Sequence, residues 1–135
     1  MKDKYPAANA FGDLNVVYKY GELDPAPLNL KEYGHLAADN EFFYVRPGRK
    51  EINGHRYYMV IKAPVNLQVG VEHTFVKDNP SLRAQLEYDG EVAGLFAEGT
   101  IHLTKGWPEF TGVFKLKEGA FQAEGDFEFK EVKKK

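Results

Sequence analysis

Between residues 65 and 129 apolar and polar side chains alternate almost without a break, a period of two that no helix accommodates and that gives a β-sheet one apolar face. The alternation is cleanest at Val65, Leu67, Val69, Val71 and Phe75, and it predicts a strand over residues 65–75. Lys77, Asp78, Asn79, Pro80 and Ser81 then carry turn chemistry, because proline presets φ and Asp or Asn side chains bond their own backbone. Leu82, Ala84, Leu86 and Tyr88 resume the pattern up to Asp89 and Gly90, a strong two-residue hairpin signal. A loop of those two residues sets Tyr88 opposite Glu91, Leu86 opposite Ala93, Ala84 opposite Leu95 and Leu82 opposite Ala97.

The same face continues through Ala97, Gly99, Ile101 and Leu103, turns at Lys105 to Pro108, and resumes at Phe110, Gly112, Phe114 and Leu116. A turn at Glu118 and Gly119 leads to Phe121, Ala123, Gly125, Phe127 and Phe129. Gly99, Gly112 and Gly125 recur at equal spacing, one strand plus one turn, so residues 65–130 predict a five-strand antiparallel meander.

The first half is less regular. Leu14, Val16, Tyr18 and Tyr20 share one face of a predicted strand, Gly21 to Pro27 form a loop, and Leu28 to Tyr33 fit either a short strand or one helical turn. Phe42 to Val45 and Tyr57 to Ile61 are apolar on both faces, the pattern of strands covered on both sides. Asn53 and Gly54 form the better hairpin signal between them, pairing Ile52 with His55 and Glu51 with Arg56. Residues 1–12 are expected to be a flexible N-terminus and 131–135 a basic tail, with 1–135 forming one all-β domain.

About eight strands and no convincing helical period predict an up-and-down antiparallel β-barrel of lipocalin-like architecture, with a two-sheet β-sandwich as the alternative. The barrel is favoured because sequential hairpins dominate the second half. The chain can build a core: 135 residues bury roughly two-thirds of their unfolded surface, and 43% of them are hydrophobic, with ten Phe and eight Tyr. In size and expected architecture the chain is similar to lipocalins and fatty-acid-binding proteins. The early Gly-x-Trp of lipocalins is missing and the one tryptophan lies in the last third, so no family is assigned.

Eighteen basic and twenty acidic residues, with basic charge clustered only at Lys133 to Lys135, give no footprint for nucleic acid or anionic lipid. Without cysteine there is no disulfide, no thiolate catalysis and no Cys-type metal site. No apolar stretch reaches the roughly 18 residues of a spanning helix, and residues 1–10 lack the apolar core of a signal peptide. A soluble cytoplasmic protein is expected, with a secreted mature form as the alternative.

The histidines His35, His55, His73 and His102 share no metal-ligand spacing, and neither a nucleophile motif nor a phosphate-binding glycine loop is present, so no cofactor, metal or catalytic residue is assigned. Two features suggest binding. His73 falls on the inward face between Val71 and Phe75, where it is either a core histidine with a backbone partner or a directional donor in a ligand cavity. Inward positions are also unusually small at Gly99, Gly112 and Gly125, and a loop at Glu118 and Gly119 sets Gly112 directly opposite Gly125. That gap either relieves strand curvature, is filled by aromatic side chains from across the core, or opens a ligand cavity.

The leading expectation is a non-enzymatic protein that holds a small apolar or amphipathic molecule inside the barrel, lined by His73, Tyr88, Gly99, Gly112 and Gly125. The alternatives are a protein-interaction module acting through edge strands and the Trp107 loop, with a homodimer as one form, and a small barrel isomerase or cyclase using His73 and a tyrosine. On the outer face His102, Thr111, Glu124, Asp126 and Glu128 form a polar row, which alternation alone requires of a solvated surface.

Overall fold

The computed structural model describes residues 10–22, 24–38, 41–47, 50–52, 54–79, 81–88, 91–92, 97–106 and 109–131. Its elements are β1 (Ala10–Tyr20), β2 (Ala26–Ala38), β3 (Phe42–Val45), β4 (Lys50–Ile52), β5 (His55–Pro64), β6 (Glu72–Phe75), β7 (Arg83–Tyr88), β8 (Glu91–Val92), β9 (Glu98–Lys105), β10 (Glu109–Glu118) and β11 (Phe121–Glu131). The fold is all-β and every pairing is antiparallel. The strands follow the order β6-β9-β10-β11-β1-β2-β3-β5-β7-β8, with β4 paired to β5.

Ring contacts show how this ladder folds over its apolar face. Tyr18 of β1 stacks on Tyr57 of β5 at 5.0 Å, although β2 and β3 lie between them in the ladder, and Phe43 of β3 meets Phe110 of β10 at 4.1 Å. Two antiparallel layers therefore enclose one core, built on the β1 to β11 side from Leu14, Phe114 and Phe127 and on the β5 to β7 side from Met59, Ile61 and Leu86. Among the described residues the end strands β6 and β8 do not pair with each other, so the two-layer arrangement fits and the preferred closed barrel is not seen.

The inward alternation of β1, β7, β9, β10 and β11 follows the sequence, with Leu14, Ala84, Ile101, Phe114 and Phe127 all buried. Residues 10–12, expected to be flexible, belong to β1 and pair with β11, and Leu28 to Tyr33 belong to a long strand. The hairpin pairs Ile52 with His55 and Glu51 with Arg56 are present. In β3 Phe43 and Val45 are buried, whereas Phe42 and Tyr44, expected to be covered as well, are half-buried, with the Lys62 ammonium 4.2 Å from the centre of the Phe42 ring.

The clearest periodic run in the sequence departs from expectation. Of residues 65–75 only Glu72 to Phe75 form a strand, and Val69 and Val71 are 42% and 41% exposed. Gly70 adopts φ +86, which an extended strand cannot pass through, and the Leu67 amide closes a turn on the Pro64 carbonyl at 3.1 Å. The remaining strand β6 pairs with β9 and not with β7, whose partner is β5, so residues 65–130 do not form a sequential meander. Within residues 65–130 the sequential hairpins are β7–β8 and the run β9, β10 and β11.

Two registers also shift. The Tyr88–Glu91 pair is as expected, but the Ala97 amide donates to the Ala84 carbonyl at 2.8 Å, where the two-residue loop would have placed Leu95. In the last hairpin Glu118 pairs with Phe121, so the loop is Gly119 and Ala120 and not Glu118 and Gly119. Moving the loop by one residue changes each partner by two. Gly112 therefore lies opposite Phe127, and Gly125 opposite Phe114.

Candidate functional site

The expected interior site is not assembled as the sequence suggested. His73 is half-buried on β6, on the same side as the buried Phe75, and its Nε2 donates to the Gln68 carbonyl at 2.8 Å. Tyr88 pairs through its backbone with Tyr57 and Glu91, and its side chain lies outside the described structure, as does Trp107.

Space at the glycines is occupied. A Cβ at Gly112 would meet the His102 carbonyl oxygen at 2.6 Å and the Phe127 ring at 3.2 Å. At Gly125 it would strike the Asn15 carbonyl oxygen at 1.9 Å, and at Gly99 the Lys115 carbonyl oxygen at 1.8 Å. Gly99 also has φ +145, a conformation that side chains disfavour. Gly99 and Gly125 let neighbouring backbones approach, and Gly112 makes room for the Phe127 ring of the adjacent strand, not for an aromatic side chain from across the core.

Tyr18 was not among the site residues chosen from sequence. Its side chain is fully buried in the core between Tyr57 and Phe121, and its hydroxyl has no hydrogen-bond partner among the described residues. Burial pushes its pKa well above the ordinary tyrosine range, with a smaller contribution from Tyr58. An unpartnered buried hydroxyl costs about 1–3 kcal/mol of desolvation. Its inward position in the row Leu14, Val16, Tyr18 was the available signal.

A concavity lies on the outer face of the β1 to β11 side. It is an open groove of about 460 Å³, and one side chain from each of six adjacent strands lines it: Glu72, His102, Val113, Asp126, Asn15 and Asn29. The registers align them in a single row, from Glu72 opposite His102, through Val113, Asp126 and Asn15, to Asn29. The alternation puts His102, Glu124 and Asp126 on this face together with Thr111, but the registers of both hairpins, β9–β10 with its bulge at Thr111 and Gly112 and β10–β11 with its shifted loop, move Thr111 out of the row. Val113 takes that position.

Within the groove the Asn15 amide Nδ2 donates to Asp126 Oδ1 at 3.1 Å, holding the carboxylate in place. Lys115 stands opposite Glu124 in the next row, and Val113 and Val17 are 52% and 40% exposed. Gly125 also lines the groove, with the β1 backbone at Asn15 close against it. A second groove, of about 380 Å³, continues along the same strands past Gly99, Lys117 and Gln122. The row offers amide donors and acceptors, carboxylate acceptors and an imidazole, suited to orienting a polar ligand through several hydrogen bonds. Among the described residues no cluster of His, Asp or Glu has the make-up of a metal site, and no helix is long and apolar enough to cross a membrane. Comparison with family models, curated proteins and solved structures gave no match.

Proposed function

We propose that this protein is a non-enzymatic binding protein whose ligand is a small polar molecule held in the outer groove across β6, β9, β10, β11, β1 and β2. The observation that carries this is the alignment of six side chains, one per strand, along the floor of one groove. Hydrogen-bonding groups are rigidly spaced by the sheet, which limits the ordering cost of binding. The test is a ¹⁵N-labelled protein titrated with a library of small polar fragments. Shift changes at the backbone amides of Asn15, His102, Val113 and Asp126 support the site, and hits that all map elsewhere remove it.

One observation favours a second reading, an interior site for a small apolar or amphipathic molecule. The buried Tyr18 hydroxyl is a single directional donor in an aromatic surround, the arrangement that orients a mostly apolar guest. Native mass spectrometry tests it: a co-purifying small molecule that is lost in Tyr18→Phe supports the interior site. The protein-interaction and isomerase alternatives draw no specific support, since Trp107 lies outside the described residues and His73 Nε2 is engaged by a main-chain carbonyl.

A further inference from the structure

On the reading that the outer groove is the ligand site, we infer that its ligand is a neutral saccharide chain lying across the strands, about one sugar unit per strand. Charge rejects the main alternatives. Of the groove's charged side chains three are acidic, Glu72, Glu124 and Asp126, and one is basic, Lys115, so phosphates and other anions are repelled. A small organic cation is also poorly served. Lys115 stands opposite Glu124 and offsets it, Asp126 already accepts from Asn15, and Glu72 sits at the far end on β6.

What remains is a row of hydrogen-bonding groups interrupted by one exposed apolar residue, Val113, with a second, Val17, in the next row. Val113 sits between His102 and Asp126, and Val17 lies in the next row beside Glu124, on the same face as Asn15. A pyranose ring has the matching duality: equatorial hydroxyls that pair with amides and carboxylates, and a C–H face that covers a valine. The spacing matches as well. Neighbouring strands are ~4.8 Å apart, about the length of one sugar unit in an extended glycosidic chain. A chain crossing the sheet therefore meets a new side chain of the row with each unit, and its affinity grows with length.

The experiment is a ¹⁵N–¹H titration of the full chain with cello-, xylo- and malto-oligosaccharides from two to six units, together with spermidine and inorganic phosphate. The expected result is that one oligosaccharide series moves the amides of Asn15, His102, Val113 and Asp126 and binds more tightly as the chain lengthens. Val113→Asp, at an exposed position, is expected to fold normally and to weaken that binding by about tenfold, on the order of 1.4 kcal/mol. Asn29→Ala, at the end of the row, is expected to weaken the longest oligosaccharides and to leave the shortest unchanged. Binding that does not depend on length, or that Val113→Asp leaves intact, overturns the inference. If spermidine or phosphate moves these four amides and no sugar does, the groove survives as a site and the saccharide assignment falls. If every probe acts elsewhere or none binds, both fall.

Discussion

Phe127 stands directly opposite Gly112, with its ring tip 3.2 Å from where a Cβ on that glycine would lie. Two pairs along the hairpin, on the same face, Phe114 stands opposite Gly125, and the two rings stack at 6.3 Å. At Gly112 the glycine and the ring are thus halves of one packing unit, with Phe127 covering the missing side chain, whereas at Gly125 the β1 backbone takes the space.

Substitutions at the glycines are expected to rank by what a new Cβ would strike. Gly125→Ala and Gly99→Ala drive it to within 2 Å of a main-chain oxygen that cannot give way, and these variants are expected to lose the β11–β1 and β9–β10 pairing and fold poorly. Gly112→Ala has only a side-chain ring, a leucine methyl and one carbonyl to displace, so it is expected to fold with a loss of about 1–3 kcal/mol. Urea denaturation of the three variants checks the order.

Tyr18→Phe removes a buried hydroxyl that has no hydrogen-bond partner among the described residues. Below pH 9 it is expected to be neutral or to stabilise the fold by about 1 kcal/mol, read from the urea midpoint. Loss of stability would show that the hydroxyl is satisfied in solution.

The same residue sets an alkaline response. Burial raises the Tyr18 pKa in the folded state, so above about pH 10 the unfolded chain releases a proton that the folded chain keeps. Its contribution is therefore intact below that pH and declines as pH rises beyond it. Melting temperatures across pH 8 to 11 are expected to fall less steeply for Tyr18→Phe than for the parent protein.

Residues 65–75 offer a contrast between sequence pattern and position. Val71→Asp, at a residue 41% exposed outside any strand, is expected to change stability by less than about 0.5 kcal/mol. Phe75→Ala, at a residue 3% exposed in the core, is expected to cost about 3–5 kcal/mol. Equal losses would mean that the valines are buried, as their alternation implies. Thermal unfolding of the two variants decides it.

The sequence by itself determined the fold class and most inward faces, because side-chain alternation is a local property of an extended chain: Leu14, Ile101, Phe114 and Phe127 point inward where the pattern puts them. It also showed which residues lie outside, including His102, Glu124 and Asp126. It did not determine which strand pairs with which, since pairing depends on contacts far apart in the chain. Thus β6 joins β9 and β7 joins β5, and the sheet folds into two layers in which, among the described residues, β6 and β8 do not pair. Register was equally out of reach: one residue in the last loop decides whether Gly112 faces Gly125 or Phe127, and both loops were compatible with the local pattern. That single step turned an expected interior gap into a filled core. Only the tertiary structure, by aligning residues from six strands distant in sequence, brought Glu72, His102, Val113, Asp126, Asn15 and Asn29 into one groove.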